Sequence, residues 1–274
     1  MLNKKQLNDI RTLQNICEDH DEIRLKLNWD MLEERGPLNN DFFHYENDQL
    51  SGYLALYGFG DQYELCGMVH PEFRGKGTFT QLLSKAVISL KDRDARSLLI
   101  NVPGTSGPGK TFASSIMAVY DFTEYEMKWD PSSHFPLSEE VTTREMQEED
   151  IPFCIKLDVE CFGQNHSDAE TMMKQISEES TQKSLMIEAD GRTVGKIRVQ
   201  RLKGQSFIYG FAVDPSLQGI GIGRKALSRT VREESQWTED IFLDVSATNS
   251  NALKLYERSG FRTIYSQDYY RYTI

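Results

Sequence analysis

The chain has 274 residues, 27% of them charged and 39% apolar, and a formal net charge of −11. That length suits one large domain or two of ordinary size, and so acidic a chain lacks the basic face of a phosphate-backbone binder, so no nucleic-acid partner is expected. No run approaches the ~18 apolar residues of a membrane span.

Residues 4–18 place Leu7, Ile10, Leu13, Ile16 and Cys17 on one helical face. This opening is polar and has no signal-peptide core. Residues 22–34 read as a second helix or an ordered loop. Asp41–Tyr45 and Leu50–Phe59 read as strands around an Asn47-Asp48 turn, and Tyr63–Val69 as a further strand closed by His70-Pro71. A helix is expected to about Leu90 and a strand over Ser97–Val102. Gly104-Thr105-Ser106-Gly107-Pro108-Gly109-Lys110-Thr111 then fits a P-loop pattern before a possible helix, Phe112–Tyr120.

Residues 130–140 carry two prolines and no apolar period, and read as a linker. Beyond it, Val141–Met146 is a strand, and 149–162 and Asp168–Ser177 are helices. Ser184–Glu188, Val194–Arg201 and Ser206–Val213 are strands, with a Gly191 turn between the first two. Ile222–Ser235 is a helix, Ile241–Val245 a buried strand, and Asn251–Arg258 a short helix stopped by Gly260. Phe261–Tyr265 and Tyr269–Ile274 close the sheet.

The two halves echo each other. Val69, Pro71, Gly75, Gly77, Leu83 and Ser84 stand at a constant offset of 144 (213 − 69) from Val213, Pro215, Gly219, Gly221, Leu227 and Ser228. A repeat of about half the chain means a duplicated domain, with boundaries at 1–130, a linker over 131–140, and 141–274. The P-loop pattern occupies the segment that answers the Asn249 region, which argues against a nucleotide hydrolase.

The loop after Val213 is the most informative stretch. Gln218-Gly219-Ile220-Gly221-Ile222-Gly223-Arg224 joins a strand to a helix, and its glycines permit a tight turn that bares the helix's first N–H groups. Those donors and the helix dipole favour an anion, most often a phosphate. The glycine spacing fits the dinucleotide fingerprint poorly. It meets Gln/Arg-x-x-Gly-x-Gly/Ala through Gln218, Gly221 and Gly223, and so resembles the pyrophosphate loop of the GNAT acetyltransferase family. A second signature agrees with it: a strand ending in Val245, then Asn249, Tyr256 and Ser259-Gly260-Phe261.

The resemblance implies an α/β (α+β) fold of two GNAT-like domains, each a twisted, mixed, largely antiparallel sheet flanked by helices. It implies acetyl-CoA as co-substrate and an amine acceptor, either a small molecule or a peptide. Main-chain groups of Phe211 and Val213 would pair with the pantetheine amides, with Ala212 between them also in the cofactor site, residues 218–224 would hold the pyrophosphate, Asn249 would meet the pantetheine arm, and Tyr256 would return a proton to the departing thiolate. In the first half Arg74 and Gly77 match the loop, but Phe79 stands where Gly or Ala belongs and is expected to crowd the pyrophosphate. Ser106 replaces Asn249 and Met117 falls where Tyr256 belongs, so the first half is expected to be a degenerate copy. The strand before the second loop carries no acid, which leaves water, Tyr209, Asp158, Glu160 or Asp244 as routes for the acceptor's proton. The alternative is a protein that binds acyl-CoA without transferring the acyl group. Four cysteines without a Cys-x-x-Cys pair suit free thiols in the cytoplasm, and five scattered histidines give no metal-ligand spacing.

Overall fold

A computed structural model of the chain describes all residues except 60, 94, 134–137 and 179–181. The elements in order are α1 (Lys4–Asp21), α2 (Trp29–Glu33), β1 (Asp41–Glu46), β2 (Gln49–Phe59), β3 (Gln62–Val69), α3 (Thr78–Lys91), β4 (Ser97–Pro103), α4 (Gly107–Ser115), β5 (Val119–Trp129), β6 (Val141–Glu145), α5 (Ile151–Phe162), α6 (His166–Glu178), β7 (Gln182–Ala189), β8 (Arg192–Leu202), β9 (Gln205–Val213), α7 (Ile222–Ser235), β10 (Ile241–Ser246), α8 (Ser250–Arg258) and β11 (Phe261–Tyr272). The mixed α/β class expected from the sequence is what is found.

Contacts divide the chain into two compact units, Met1–Glu124 with Tyr265–Ile274, and Tyr125–Ile264. The sequence repeat instead assigns the last ten residues to the second domain and 125–130 to the first. The difference lies in two long strands. Val119–Trp129 is one strand where a helix was expected to run to Tyr120, and Tyr125, Met127 and Trp129 alternate with Glu126 and Lys128 as a half-buried strand requires. Phe261–Tyr272 is one strand where two were expected. Part of the expected 131–140 linker, residues 134–137, lies outside the described residues.

In the first unit the strand order is β1-β2-β3-β4-β11-β5. The β1–β2 hairpin turns through Asn47 and Asp48, both at positive φ (48° and 63°), which matches a two-residue turn to the strand twist. One face of the sheet carries α1, through Ile10, Leu13 and Cys17 against Tyr53, Ala55 and Met68. The other carries α3, through Leu82, Leu83, Ala86 and Leu90 against Leu54, Leu65 and Ile100. β11 completes this sheet by pairing antiparallel with β4 from Tyr272↔Leu98 to Gln267↔Pro103.

In the second unit the order is β11-β5-β10-β9-β8-β7-β6. The β7–β8 and β8–β9 hairpins turn at Asp190-Gly191 and Lys203-Gly204, all at positive φ. α7 buries Ala226, Leu227 and Val231 in the main core with Ile208, Leu243 and Phe261. α5 and α6 cover the opposite face through Cys154, Ile155 and Met173 on Met186. There Lys196 of β8 reaches Asp158 of α5 at 2.6 Å, the two residues being 3% and 4% exposed. Removing one partner of such a pair leaves a buried charge without compensation.

Two measurements check this architecture. Truncation after Ile264 removes the antiparallel partner of β4, so the amides of Leu98–Val102 should lose hydrogen-exchange protection. Unchanged protection would place the last strand outside the first unit. Asp158→Ala should cost about 3–5 kcal/mol in urea unfolding, and adding Lys196→Met should restore most of that stability.

Candidate acetyl-donor site in the second unit

β9 and β10 run parallel and pair only over Ile241↔Ser206, Phe242↔Phe207 and Leu243↔Ile208. Beyond Ile208, β9 continues through Phe211, Ala212 and Val213 without a ladder partner on that side. On its other side the β8 register slips between Lys196 and Arg198, so that Tyr209 faces Arg198 and Ala212 faces Lys196. The extra residue falls at Gly210–Phe211, and Gly210 has φ +52°. A bulge of this kind re-aims main-chain groups beside the gap. A Cβ at Gly210 would lie 2.7 Å from Arg198 Nε, so the positive φ favours glycine there and a side chain would also push the Arg198 guanidinium aside.

The loop after Val213 is built by local capping. Asp214 accepts from the Ser216 N–H (3.0 Å) and hydroxyl (2.6 Å), starting a short 3-10 turn over Pro215–Leu217. Gln218 Nε2 donates to the Val213 carbonyl at 2.9 Å and ties the loop to the strand end. Gly219 and Gly221 have φ of 81° and 94°, and Gly221 is the N-cap of α7 with no side-chain cap. The first N–H groups of a 14-residue helix thus open toward the loop. Ile220 and Arg224 are exposed, and Lys225 pairs with Glu140. Gly223 meets only ordinary contacts, its Cβ position lying 3.5 Å from Leu255 and from the Phe211 ring.

Tyr256 of α8 packs against Phe211, with ring centroids 6.5 Å apart, and edge-on to Phe261 at 6.2 Å. Burial pushes its phenol up to about 12. The group is protonated at neutral pH and can donate a hydrogen bond. Asn249 caps α8 by accepting from the Ala252 N–H at 3.1 Å, so its carbonyl has a structural duty and its amide N–H₂ remains the donor end. Of the acids weighed for the acceptor's proton, Asp158 is engaged by Lys196, while Glu160 is exposed beside Lys156. The expected residues therefore fall on β9, the loop, α7 and α8 of one unit.

The first unit keeps the same loop chassis. β3 and β4 pair in parallel only to Leu65↔Ile100. His70 takes the capping place of Asp214, accepting from the Glu72 N–H at 3.3 Å. Arg74 Nε donates to the Val69 carbonyl at 3.0 Å, as Gln218 does to Val213, and Gly75 and Gly77 have φ of 74° and 80°. The repeat also reaches further than the sequence reading noticed. Cys17 and Cys161, 144 residues apart (161 − 17), each place Sγ on the carbonyl of Val69 or Val213, at 3.5 and 3.7 Å. The constant offset was the available signal for that pair.

Three features separate the copies. The β2–β3 ladder runs without a slip from Gly52↔Val69 to Phe59↔Gln62, so β3 has no counterpart of the β9 bulge. Arg74 is held by Asp21 through two hydrogen bonds of 2.8 and 2.7 Å. With the helix caps Ser106 and Asn249 aligned, Ala113 rather than the expected Met117 stands at the place of Tyr256, and Met117 lies beyond α4 and is 87% exposed. Phe79 does not do what the sequence reading expected. Its ring lies on the backbone of Gly67, where a Cβ would be 2.7 Å away, and packs edge-on to Phe112. In the second unit the strand carries the ring (Phe211) and the helix the glycine (Gly223); in the first, Gly67 and Phe79 reverse this. The ring lies against the strand backbone and lines the gap beside it together with residues of the loop.

The P-loop pattern is no phosphate cradle. Residues 107–111 are already helical, Ser106 caps that helix on the Gly109 N–H, Gly104 packs on Ser266, and Lys110 pairs with Asp268 at 2.9 Å. Among the described residues no group of His, Cys, Asp or Glu could hold a metal ion, and no helix is long and apolar enough to cross a membrane.

Comparison with known proteins agrees with this geometry. Residues 142–274 match the acetyltransferase (GNAT) domain and residues 5–104 the acetyltransferase (GNAT) family. Over 79 residues the chain is 33% identical to the [ribosomal protein bS18]-alanine N-acetyltransferase of Salmonella typhimurium, a stretch that is 28% of this chain and about half (53%) of that protein. The fold is similar to that of a GCN5-related N-acetyltransferase from Sphaerobacter thermophilus, with TM-score 0.76, 19% identity and 97% and 91% of the two chains covered. It is also similar to a tandem GNAT protein from the clavulanic acid biosynthesis pathway, with TM-score 0.72, 14% identity and 99% and 95% coverage. With both halves matched and the loop geometry repeated in each unit, the chain belongs to the GNAT acetyltransferase family as a tandem-GNAT protein.

Proposed function

We propose that the chain is a cytoplasmic N-acetyltransferase that moves an acetyl group from acetyl-CoA to a primary amine, and that the second unit alone carries the chemistry. The observation that carries this reading is the packing of Tyr256 on Phe211, which puts a protonated phenol against the bulged strand that leads into the uncapped glycine loop. The residues fit the donor. Main-chain N–H groups at 219–223 and the Arg224 guanidinium suit a pyrophosphate, and the free edge of Phe211–Val213 suits an arm that carries amides. The Val213 carbonyl already accepts from Gln218 and Ala212 pairs with Lys196 of β8, so the edge acts mainly through Phe211.

Acetyl-CoA supplies an activated thioester. A lysine-type amine, with a pKa of about 10.4, is neutral in only about one molecule in 2,500 at pH 7, a cost of about 4.6 kcal/mol. The acceptor must therefore lose a proton before or during attack. The Tyr256 hydroxyl donates to the sulfur as the carbon–sulfur bond breaks. Its high pKa fits a hydrogen-bond donor better than a full proton donor. Transfer from a group near 12 to a thiol of about 8.5 is uphill by about 5 kcal/mol. The acceptor class includes small amines and peptide N-termini, the latter suggested by the alanine acceptor in the Salmonella relative's name.

Gly221 has nothing within 4 Å of a Cβ, yet has φ +94°. Gly221→Ala should therefore cost only backbone strain, about 1–2 kcal/mol, while Gly221→Glu should also place a carboxylate at the anion site and abolish acetyl-CoA binding in calorimetry. Equal affinities for the two variants would remove the loop from the site. Tyr256→Phe should lower kcat about 100-fold. Because burial raises the phenol, the wild-type kcat should show no loss from phenol ionisation between pH 7 and 10, and a basic limb there that vanishes in Tyr256→Phe would contradict the assignment. Thiol release across a panel of small amines and an Ala-initiated peptide tests turnover itself. Tight acetyl-CoA binding with no release at any pH would favour a non-catalytic acyl-CoA binder.

A further inference from the structure

Soft donors gather where α5 covers the sheet of the second unit. β6 and β7 pair antiparallel with Arg144 opposite Met186, and the Met146 N–H donates to the Ser184 carbonyl at 3.0 Å. Met146 and Met186 are therefore diagonal neighbours on one face, where long side chains can meet. α5 lies over that face and sets Cys154 against both. Its Sγ is 3.7 Å from Met146 Sδ and 3.6 Å from Met186 Sδ. Cys154 and Met186 are buried, while Met146 is half-buried and brings the group toward solvent at the end of β6. Met173 belongs to the same cluster, so three of the chain's nine methionines meet beside one thiol.

Methionine fills gaps in many cores; the direction of this thiol sets the group apart. Cys17 and Cys161 each aim Sγ at a backbone carbonyl oxygen. Cys154 instead faces two thioethers, which are weak acceptors. A thiolate with two thioethers is a donor set that selects soft ions such as copper(I). The spacing suits one: three sulfurs bonded to a central ion at about 2.3 Å stand about 4 Å apart, so only a small outward shift of each sulfur is needed. The charge suits a univalent ion as well. Burial pushes the Cys154 thiol up to about 11, so the free chain holds a neutral S–H. A univalent cation that replaces this proton, which passes to solvent, leaves a neutral ion–thiolate pair and buries no net charge. Zinc(II) would bury a net positive charge there, and it ordinarily takes four ligands.

We propose that Cys154, Met146 and Met186 form a copper(I) site that staples α5 to β6 and β7. Cys154 Sγ binds as the thiolate and the two Sδ atoms as neutral donors. The site uses none of the residues assigned to the acetyl donor, and it is independent of the acetyl-transfer reading.

Copper(I), delivered without oxygen as its bicinchoninate complex to the reduced full chain, tests the site. The 13C ε-methyl NMR signals of Met146 and Met186 should shift and saturate at one ion per chain, while that of Met68 in the first unit stays in place. Zinc(II) should leave all three unmoved. Met186→Leu, a swap that nearly conserves volume, should weaken copper(I) binding about tenfold or more by removing one of three donors. Cys154→Ser should abolish the Met146 and Met186 shifts. Copper(I) that leaves those two signals in place, as an ion held at another cysteine would, overturns the proposal. So does an equal shift with zinc(II), or unchanged copper(I) affinity in Met186→Leu. The methionine signals are read on the wild-type chain, so they decide the matter even if Cys154→Ser does not fold.

Discussion

A helix that starts without a cap is the feature on which the second unit depends. α7 begins at Gly221 in a left-handed conformation with no side chain on its first N–H groups. With glycine at the N-cap, forgoing a side-chain cap costs about a few tenths of a kcal/mol. The short helices α4 and α8 are capped, by Ser106 and Asn249, whereas α3 of the first unit starts uncapped at Gly77 as α7 does at Gly221. Holding α7 open requires the strand before it to end at a fixed place. The Gln218–Val213 tether and the Asp214 turn fix that end. The early end of the β9–β10 pairing leaves the gap beside it, and the bulge at Gly210 turns main-chain groups toward the gap.

The same chassis occurs twice, and the copies differ in what is mounted on it. Turn, tether, left-handed glycines and the cysteine on the valine carbonyl recur in the first unit. The bulge, the buried tyrosine and the helix-start cations do not. Loops of this kind are held by backbone and capping bonds that tolerate change at the exposed positions around them. The scaffold can therefore persist after the side chains that serve chemistry have gone. The exchange of ring and glycine between Phe211/Gly223 and Gly67/Phe79 keeps the helix packed on the strand in both units.

Much of this was legible in the sequence, because the signals were local. Ile222–Ser235 was bounded to the residue, since its glycines and apolar period both mark it, and the 144-residue echo revealed the duplication. The long strands were less legible. A proline-rich stretch after Trp129 outweighed the alternation of Tyr125, Met127 and Trp129, and nothing local says that Tyr265–Ile274 pairs with β4. The Phe79 expectation failed because a side chain's direction depends on its neighbours. With Gly67 opposite, the ring has somewhere better to lie than over the loop.

The central claim is that one unit of two binds the acetyl donor. A calorimetric titration of the full chain with acetyl-CoA, followed by a crystal structure of the saturated complex, tests it directly. The account predicts one molecule per chain, with its pyrophosphate on residues 219–224 and its arm along Phe211–Val213. Two equal sites, or a single site on the Gly75–Thr78 loop, would contradict it.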